Sequence, residues 1–237
     1  MENRMLLGKR DVKKRLLDHA WGHAQLGMPE DAVKDCEALV GLDKDDPSSY
    51  VELGYYLEKN GKAEEAIDCY RYLMRRFPGY NTAYSNLGYL YQSYKKQFDI
   101  AMLLYEKALE LNPADIWALN NIGTILQEEG RWEGALYYYQ KASETLDKLE
   151  KERVFQILHN LGWAYYRCKK YEKACAVFDC LVRENGDDPS VFSDFGCVLY
   201  KMEKFEDARA LFEIALKMCP ASHYYKKLWK VAYQKCL

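Results

Sequence analysis

The chain has 237 residues, 49% hydrophobic and 30% charged, with a formal net charge of −2. That balance suits a folded chain and lacks the basic footprint of a nucleic-acid binder, and the longest apolar run falls far short of the ~20 residues a membrane helix needs. The opening MENRMLLGKRDVKKR is too charged for a signal peptide, and eight cysteines without a CxxC read as small hydrophobes in a reducing, cytoplasmic compartment.

In chain order, the periodic segments come in pairs, each read as helix, short turn, helix. After a lead segment of residues 1–12, six units are expected at about 13–46, 47–80, 81–115, 116–154, 155–188 and 189–222, followed by a capping helix over 223–237. The first unit carries His19-Ala20 where its sisters carry an apolar residue and glycine. The second opens on Asp46-Pro47 and the sixth on Asp188-Pro189, each an acidic N-cap followed by proline at the first helical position. In the third, Asn81 is the expected N-cap and one extra residue sits in the inner turn. Between the fourth and fifth the period stretches, and ASETLDKLEKERVFQ has no Pro or Gly, which predicts longer flanking helices and a brief turn. Ser222 is the expected cap of the last helix, where Tyr225, Leu228, Trp229, Ala232 and Cys236 stand at helical spacing.

Two columns hold the units in register. Gly54, Gly88, Gly123, Gly162 and Gly196 recur at intervals of 34, 35, 39 and 34 residues, each after an apolar residue. Downstream run Ala32, Ala66, Ala101, Ala135, Ala174 and Ala208, each followed four residues later by Cys36, Tyr70, Tyr105, Tyr139, Phe178 or Phe212. A mid-helix glycine costs ~0.8–1 kcal/mol relative to alanine, so its place on the packing face implies a close approach. Gly123 is expected to face the partner helix near Ala135. Self-similarity at this period marks a repeat array.

In the third unit the pattern reads Tyr84, Leu87-Gly88, Tyr91, Ala101, Tyr105 and Pro113, and it resembles the tetratricopeptide repeat. The resemblance covers residues 13–222. It implies an all-α, right-handed α-solenoid superhelix of six helix-turn-helix repeats plus the C-terminal helix, with the first helices lining a concave groove. It also implies a non-enzymatic scaffold that binds an extended or helical segment of a partner protein there. Neither nucleic acid nor membrane is expected as a partner, and no cofactor is implied. His19 and His23 stand i, i+4 but fill packing columns, so no metal site is expected, and no nucleophile elbow or phosphate loop appears.

The candidate peptide-binding residues lie on the other face of the first helices. Asn86, Asn121 and Asn160 share the column two residues before the glycine, and an Asn amide both donates and accepts. With helices ~8–10 Å apart and an extended chain rising ~3.3 Å per residue, three such amides match every third residue of a threaded peptide. Tyr55, Tyr89, Trp117, Asn120, Gln127, His159, Trp163 and Tyr166 adjoin them. The alternative is a self-assembling unit, a homo-oligomer joined through outer tyrosines such as those of YYYQ (137–140).

Overall fold

A computed structural model describes residues 2–144, 146, 149–184 and 188–236, and side chains from residue 9 onward. Among the described residues there are thirteen α-helices and no strand. The chain divides into two compact units, Met1–Ala118 and Leu119–Leu237.

The first unit holds α1 (Glu2–Gln25), α2 (Pro29–Leu42), α3 (Pro47–Lys59), α4 (Ala63–Arg76), α5 (Asn81–Leu90), α6 (Phe98–Leu111) and the first residues of α7 (Ile116–Glu128). Successive helices pair as α1 with α2, α3 with α4 and α5 with α6, and neighbouring pairs pack through α2 with α3 and α4 with α5. The expected lead segment 1–12 is not separate, because α1 runs through it without a break. Asp46 caps α3 by accepting from the Ser48 amide (3.2 Å), with Pro47 following as the sequence predicts. Asn81 is not the cap of α5. Tyr80 takes that position without a side-chain bond, and Asn81 begins the helix. The extra residue of the third pair is absorbed as a π-helical turn over Tyr91–Lys95, which widens the helix end instead of lengthening the loop.

The second unit holds the rest of α7, then α8 (Trp132–Ser143), α9 (Lys151–Arg167), α10 (Tyr171–Glu184), α11 (Pro189–Lys201), α12 (Phe205–Met218) and α13 (His223–Cys236). The stretched period lengthens one flanking helix and not both. α9 has 17 residues against 13 in α3, whereas α8 has only 12. Residues 154 and 155, the expected boundary between units, therefore lie inside α9. Asp188 caps α11 through the Ser190 amide (2.8 Å), and Ser222 accepts from the Tyr225 amide (3.3 Å) at the start of α13. α13 packs on α12, where Leu228 and Trp229 lie against a cluster of Leu199, Ala208, Phe212 and Ala232.

The glycine column has a more specific cause than helix approach alone. A Cβ on Gly123 would stand 2.6 Å from Tyr139 Cε1, and one on Gly88 2.8 Å from Tyr105 Cε1. Gly162 and Gly196 stand in the same relation to Phe178 and Phe212. Each glycine is thus a slot for the aromatic ring of the second helix. The neighbour of Gly123 is Tyr139, one turn beyond Ala135. Those rings are fully or almost fully buried. Gly134, next to Ala135, has its own contact: a Cβ there would come within 3.2 Å of Leu126 Cδ1.

A further column closes the hairpins. Gly27, Gly61, Lys96, Gly130, Lys169 and Glu203 all take positive φ, between 53° and 75°, where the first helix of each pair ends. Glycine adopts that conformation freely, whereas the two lysines and the glutamate adopt it at a cost.

Candidate functional site

The ring of each second helix passes the glycine and brings its far end to the polar side of the first helices. Tyr105 donates to Gln92 Oε1 (2.9 Å), and Tyr139 donates to Gln127 Oε1 (3.1 Å). Tyr70 donates to the Val51 carbonyl (3.4 Å) and accepts from Asn86 Nδ2 (3.2 Å). Burial pushes the Tyr139 hydroxyl up to about 12, so it remains a neutral donor.

The position four residues after each glycine follows the ring. Where the second helix carries Tyr, that position is Glu58, Gln92 or Gln127; where it carries Phe178 or Phe212, it is Tyr166 or Tyr200. A hydroxyl brought to this face has a polar residue beside it, and a ring edge has an aromatic one.

Two members of the asparagine column, Asn86 and Asn160, join successive helix pairs. Asn86 on α5 reaches Tyr70 on α4, and Asn160 on α9 donates from Nδ2 to Asn120 Oδ1 on α7 (3.2 Å). In the same column Asp194 on α11 receives His159 Nε2 (2.7 Å) and Trp163 Nε1 (3.1 Å) from α9. Asp194 is buried, and the two hydrogen bonds from its partners satisfy a carboxylate that would otherwise be costly there. Asn86 lies in the first unit, whereas Asn121 and Asn160 lie in the second. Asn120, expected among the peptide contacts, is 4% exposed, and its carbonyl oxygen is committed to Asn160. Burial removes it from direct contact with a partner.

The other expected residues reach the surface to different degrees. Tyr55 and Tyr89, each one residue after its glycine, are 39% and 40% exposed. Asn86, Asn121, Trp117, Gln127, His159, Asn160, Trp163 and Tyr166 are partly exposed. Trp163 meets Tyr166 edge-on (5.1 Å between centroids) and Phe178 (6.2 Å), and His159 stacks on Phe155 (5.8 Å). Beside the tyrosines of the first unit, burial pushes the carboxyls of Glu52 and Glu58 above the ordinary range. Lys13 opposes the shift at Glu52, and Lys59 and Tyr94 oppose it at Glu58.

One buried hub is absent from the sequence expectations. Asp115 accepts from Asn81 Nδ2 (2.7 Å), Ser85 Oγ (2.6 Å) and the amides of Trp117 and Ala118 (3.1 Å each). It caps the first turn of α7 and fastens α5 to it. The signal for it in the sequence is its place immediately before a helix, the place held by Asp46 and Asp188.

Helical pairs with a ring in each glycine slot, polar bonds between successive pairs and aromatic side chains left partly exposed on the first helices define an α-helical repeat protein. Tetratricopeptide repeat profiles match residues 17–81, 82–115 and 115–182, which together run without a gap. The chain belongs to the tetratricopeptide repeat family, whose members mediate protein–protein interactions.

Among curated relatives, it is 29% identical to the type IV pilus assembly protein PilF of Pseudomonas aeruginosa over 70% of this chain and 64% of that one. It is 22% identical to the anaphase-promoting complex subunit CDC16 of Saccharomyces cerevisiae over 70% of this chain, but 20% of that one. The chain therefore spans less than two thirds of either. Among solved structures, Cut9 with Hcn1 from the APC/C aligns over 98% of this chain and 46% of that one at TM-score 0.73 and 18% identity. YrrB, described as a TPR protein with an unusual peptide-binding site, aligns over 84% and 97% at 0.66 and 21%. The P. aeruginosa PilF structure aligns over 81% and 86% at 0.66 and 26%. The fold is thus that of the tetratricopeptide solenoids. No helix among the described residues is long and apolar enough to cross a membrane.

Proposed function

We propose that the chain is a non-enzymatic scaffold that holds an extended or helical segment of a partner protein against the first-helix face. The observation that carries this reading is the exposure of Tyr55 and Tyr89, one on each of two successive first helices, with the amide of Asn86 one turn before Tyr89. Aromatic side chains next to amides suit peptide recognition, because the rings offer apolar area at low entropy cost and the amides match a peptide backbone. The peptide-binding site named for YrrB, a protein of similar fold, lends support. In the second unit Asn121, Gln127, Asn160, Trp163 and Tyr166 are the corresponding contacts, with His159 at their margin. Asn86 and Asn160 then serve twice, once between helix pairs and once toward the ligand.

The test begins with peptides selected on the immobilised chain from a random library. Their affinities are then measured for wild type, Tyr55→Ala with Tyr89→Ala, and each Asn→Ala variant. Each asparagine contributes up to two hydrogen bonds of ~0.5–1.5 kcal/mol, so several-fold to ~100-fold losses are expected. Tyr137→Ala, 56% exposed on α8, is the control. Undiminished binding by the tyrosine double variant and the triple Asn→Ala variant alike would refute the reading. Light scattering across concentration tests the self-assembling alternative.

A further inference from the structure

The fifth and sixth helix pairs depart from the ring rule in one direction. Phe178 and Phe212 replace tyrosines, and Tyr166 and Tyr200 replace the polar residues beside them. The consequence is an apolar cleft of about 250 Å³ in the second unit. Tyr166, Tyr200 and Phe212 line it together with Tyr224, Leu228 and Val231 of α13. A cavity of ~150 Å³ accommodates benzene, so this one has room for a leucine or phenylalanine side chain.

Two cations stand at the same cleft, Lys201 at the end of α11 and Lys227 on α13. Both are exposed, and neither has an ion-pair partner among the described residues. α13 also carries Lys226, Lys230 and Lys235 and no acidic residue, although the whole chain has a net charge of −2. The nearby carboxylate of Asp194 is held by His159 and Trp163. Cys197 in the wall is held as a neutral thiol, since burial pushes it up to about 11. An apolar socket flanked by unpaired cations complements an apolar residue flanked by anions.

We propose that this cleft is a specificity pocket for a partner segment in which a large apolar side chain is flanked by internal aspartate or glutamate. The apolar side chain enters between Tyr166, Phe212 and Leu228, and the carboxylates meet Lys201 and Lys227. The assignment deepens the peptide-binding reading and rests on it. It adds a charge rule for the second unit.

The probe is a fluorescein-labelled, C-terminally amidated Gly-Asp-Leu-Phe-Asp-Gly peptide, compared by anisotropy with its Lys-for-Asp counterpart on the full chain. The acidic peptide is expected to bind more tightly, and its advantage to shrink with salt as exposed charges are screened. Lys227→Glu and Lys201→Glu should each weaken it about threefold to tenfold. Lys230→Glu, which does not line the cleft, should match wild type. Val231→Trp, at a position already 40% exposed, should fill the mouth and weaken both peptides without unfolding the chain. Equal binding of the two peptides overturns the proposal, as does an acidic peptide indifferent to Lys227→Glu and Val231→Trp. Tighter binding of a neutral peptide with a free C-terminal carboxylate overturns the choice of internal acids. Library-selected peptides that bind and respond to the Asn→Ala variants while ignoring all cleft variants would leave the scaffold reading standing and this one fallen.

Discussion

Gly123→Ala sets two effects of similar size against each other. Alanine raises helix propensity by ~0.8–1 kcal/mol. Its Cβ would lie 2.6 Å from Tyr139 Cε1, 2.8 Å from Cδ1 and 3.0 Å from Cζ, separations that require the ring to move. The ring cannot move cheaply. Tyr139 is wholly buried, and its hydroxyl is tied to Gln127 Oε1 (3.1 Å) and Thr124 Oγ1 (3.4 Å). Overpacking costs ~1–3 kcal/mol, and losing the Gln127 bond adds ~0.5–1.5. Destabilisation of about 1–3 kcal/mol should therefore remain after the propensity gain, and Gly123→Leu should exceed it. Gly22 is the control, since it lies inside α1 and a Cβ there meets nothing within 4 Å. Gly22→Ala should stabilise by about 0.5–1 kcal/mol. Urea unfolding followed by circular dichroism measures both. Hydrogen exchange localises the change, because repeat arrays need not unfold in one step. Tyr139→Leu in the Gly123→Ala background should recover part of the loss, a non-additivity that marks direct contact. Stabilisation by both alanine substitutions, or strict additivity in the cycle, would refute the ring-slot account.

Asp115→Ala leaves four donors of the first unit without their acceptor and should cost about 2–4 kcal/mol in urea unfolding, with increased exchange at the Trp117 and Ala118 amides. At Asp46, burial opposes the charge, but hydrogen bonds from Lys13, Ser49 and Ser48 outweigh it and hold the carboxyl at about 2 against an ordinary 3.8. A depressed carboxyl stabilises the fold above its ordinary value, so a contribution of about 1 kcal/mol should be complete above pH ~4 and disappear as pH falls through about 2; an acid titration of stability should show this in wild type and a smaller change in Lys13→Ala. Lys169→Gly relieves a φ of 58° in the α9–α10 turn and should raise stability by about 0.5–1 kcal/mol in the same assay, whereas Gly130→Ala, at φ 75°, should lower it.

What was legible in the sequence is what repeats. Gly54, Gly88 and Gly123 announced their helices because a packing face interrupted by glycine at fixed intervals is the mark of stacked helix pairs. The same columns could not say what fills the gap. The ring four residues after the alanine and the glycine of the preceding helix are separate columns, and only their geometry joins Tyr139 to Gly123. Asn86, Asn121 and Asn160 were likewise legible as a column, but the bridging of helix pairs by Asn86 and Asn160 was not. Asn160 bonds Asn120, forty positions away, and a single sequence carries no mark of that contact. Asp194 stands in the same column with a different residue type, and its recruitment of His159 and Trp163 depends on burial that periodicity alone leaves open. The exchange of Tyr for Phe at positions 178 and 212 is written plainly in the chain, together with that of Gln for Tyr at 166 and 200. Its meaning needed the path of the ring, past the glycine to the polar face. Once that path is known, the two exchanges become one event, the removal of a hydroxyl together with the polar residue beside it. The face they leave, bordered by Lys201 and Lys227, differs chemically from the one around Tyr55 and Tyr89, where burial raises the carboxyls of Glu52 and Glu58. Two chemically different faces can thus arise from one repeat by substitution at two columns, with the backbone pattern unchanged.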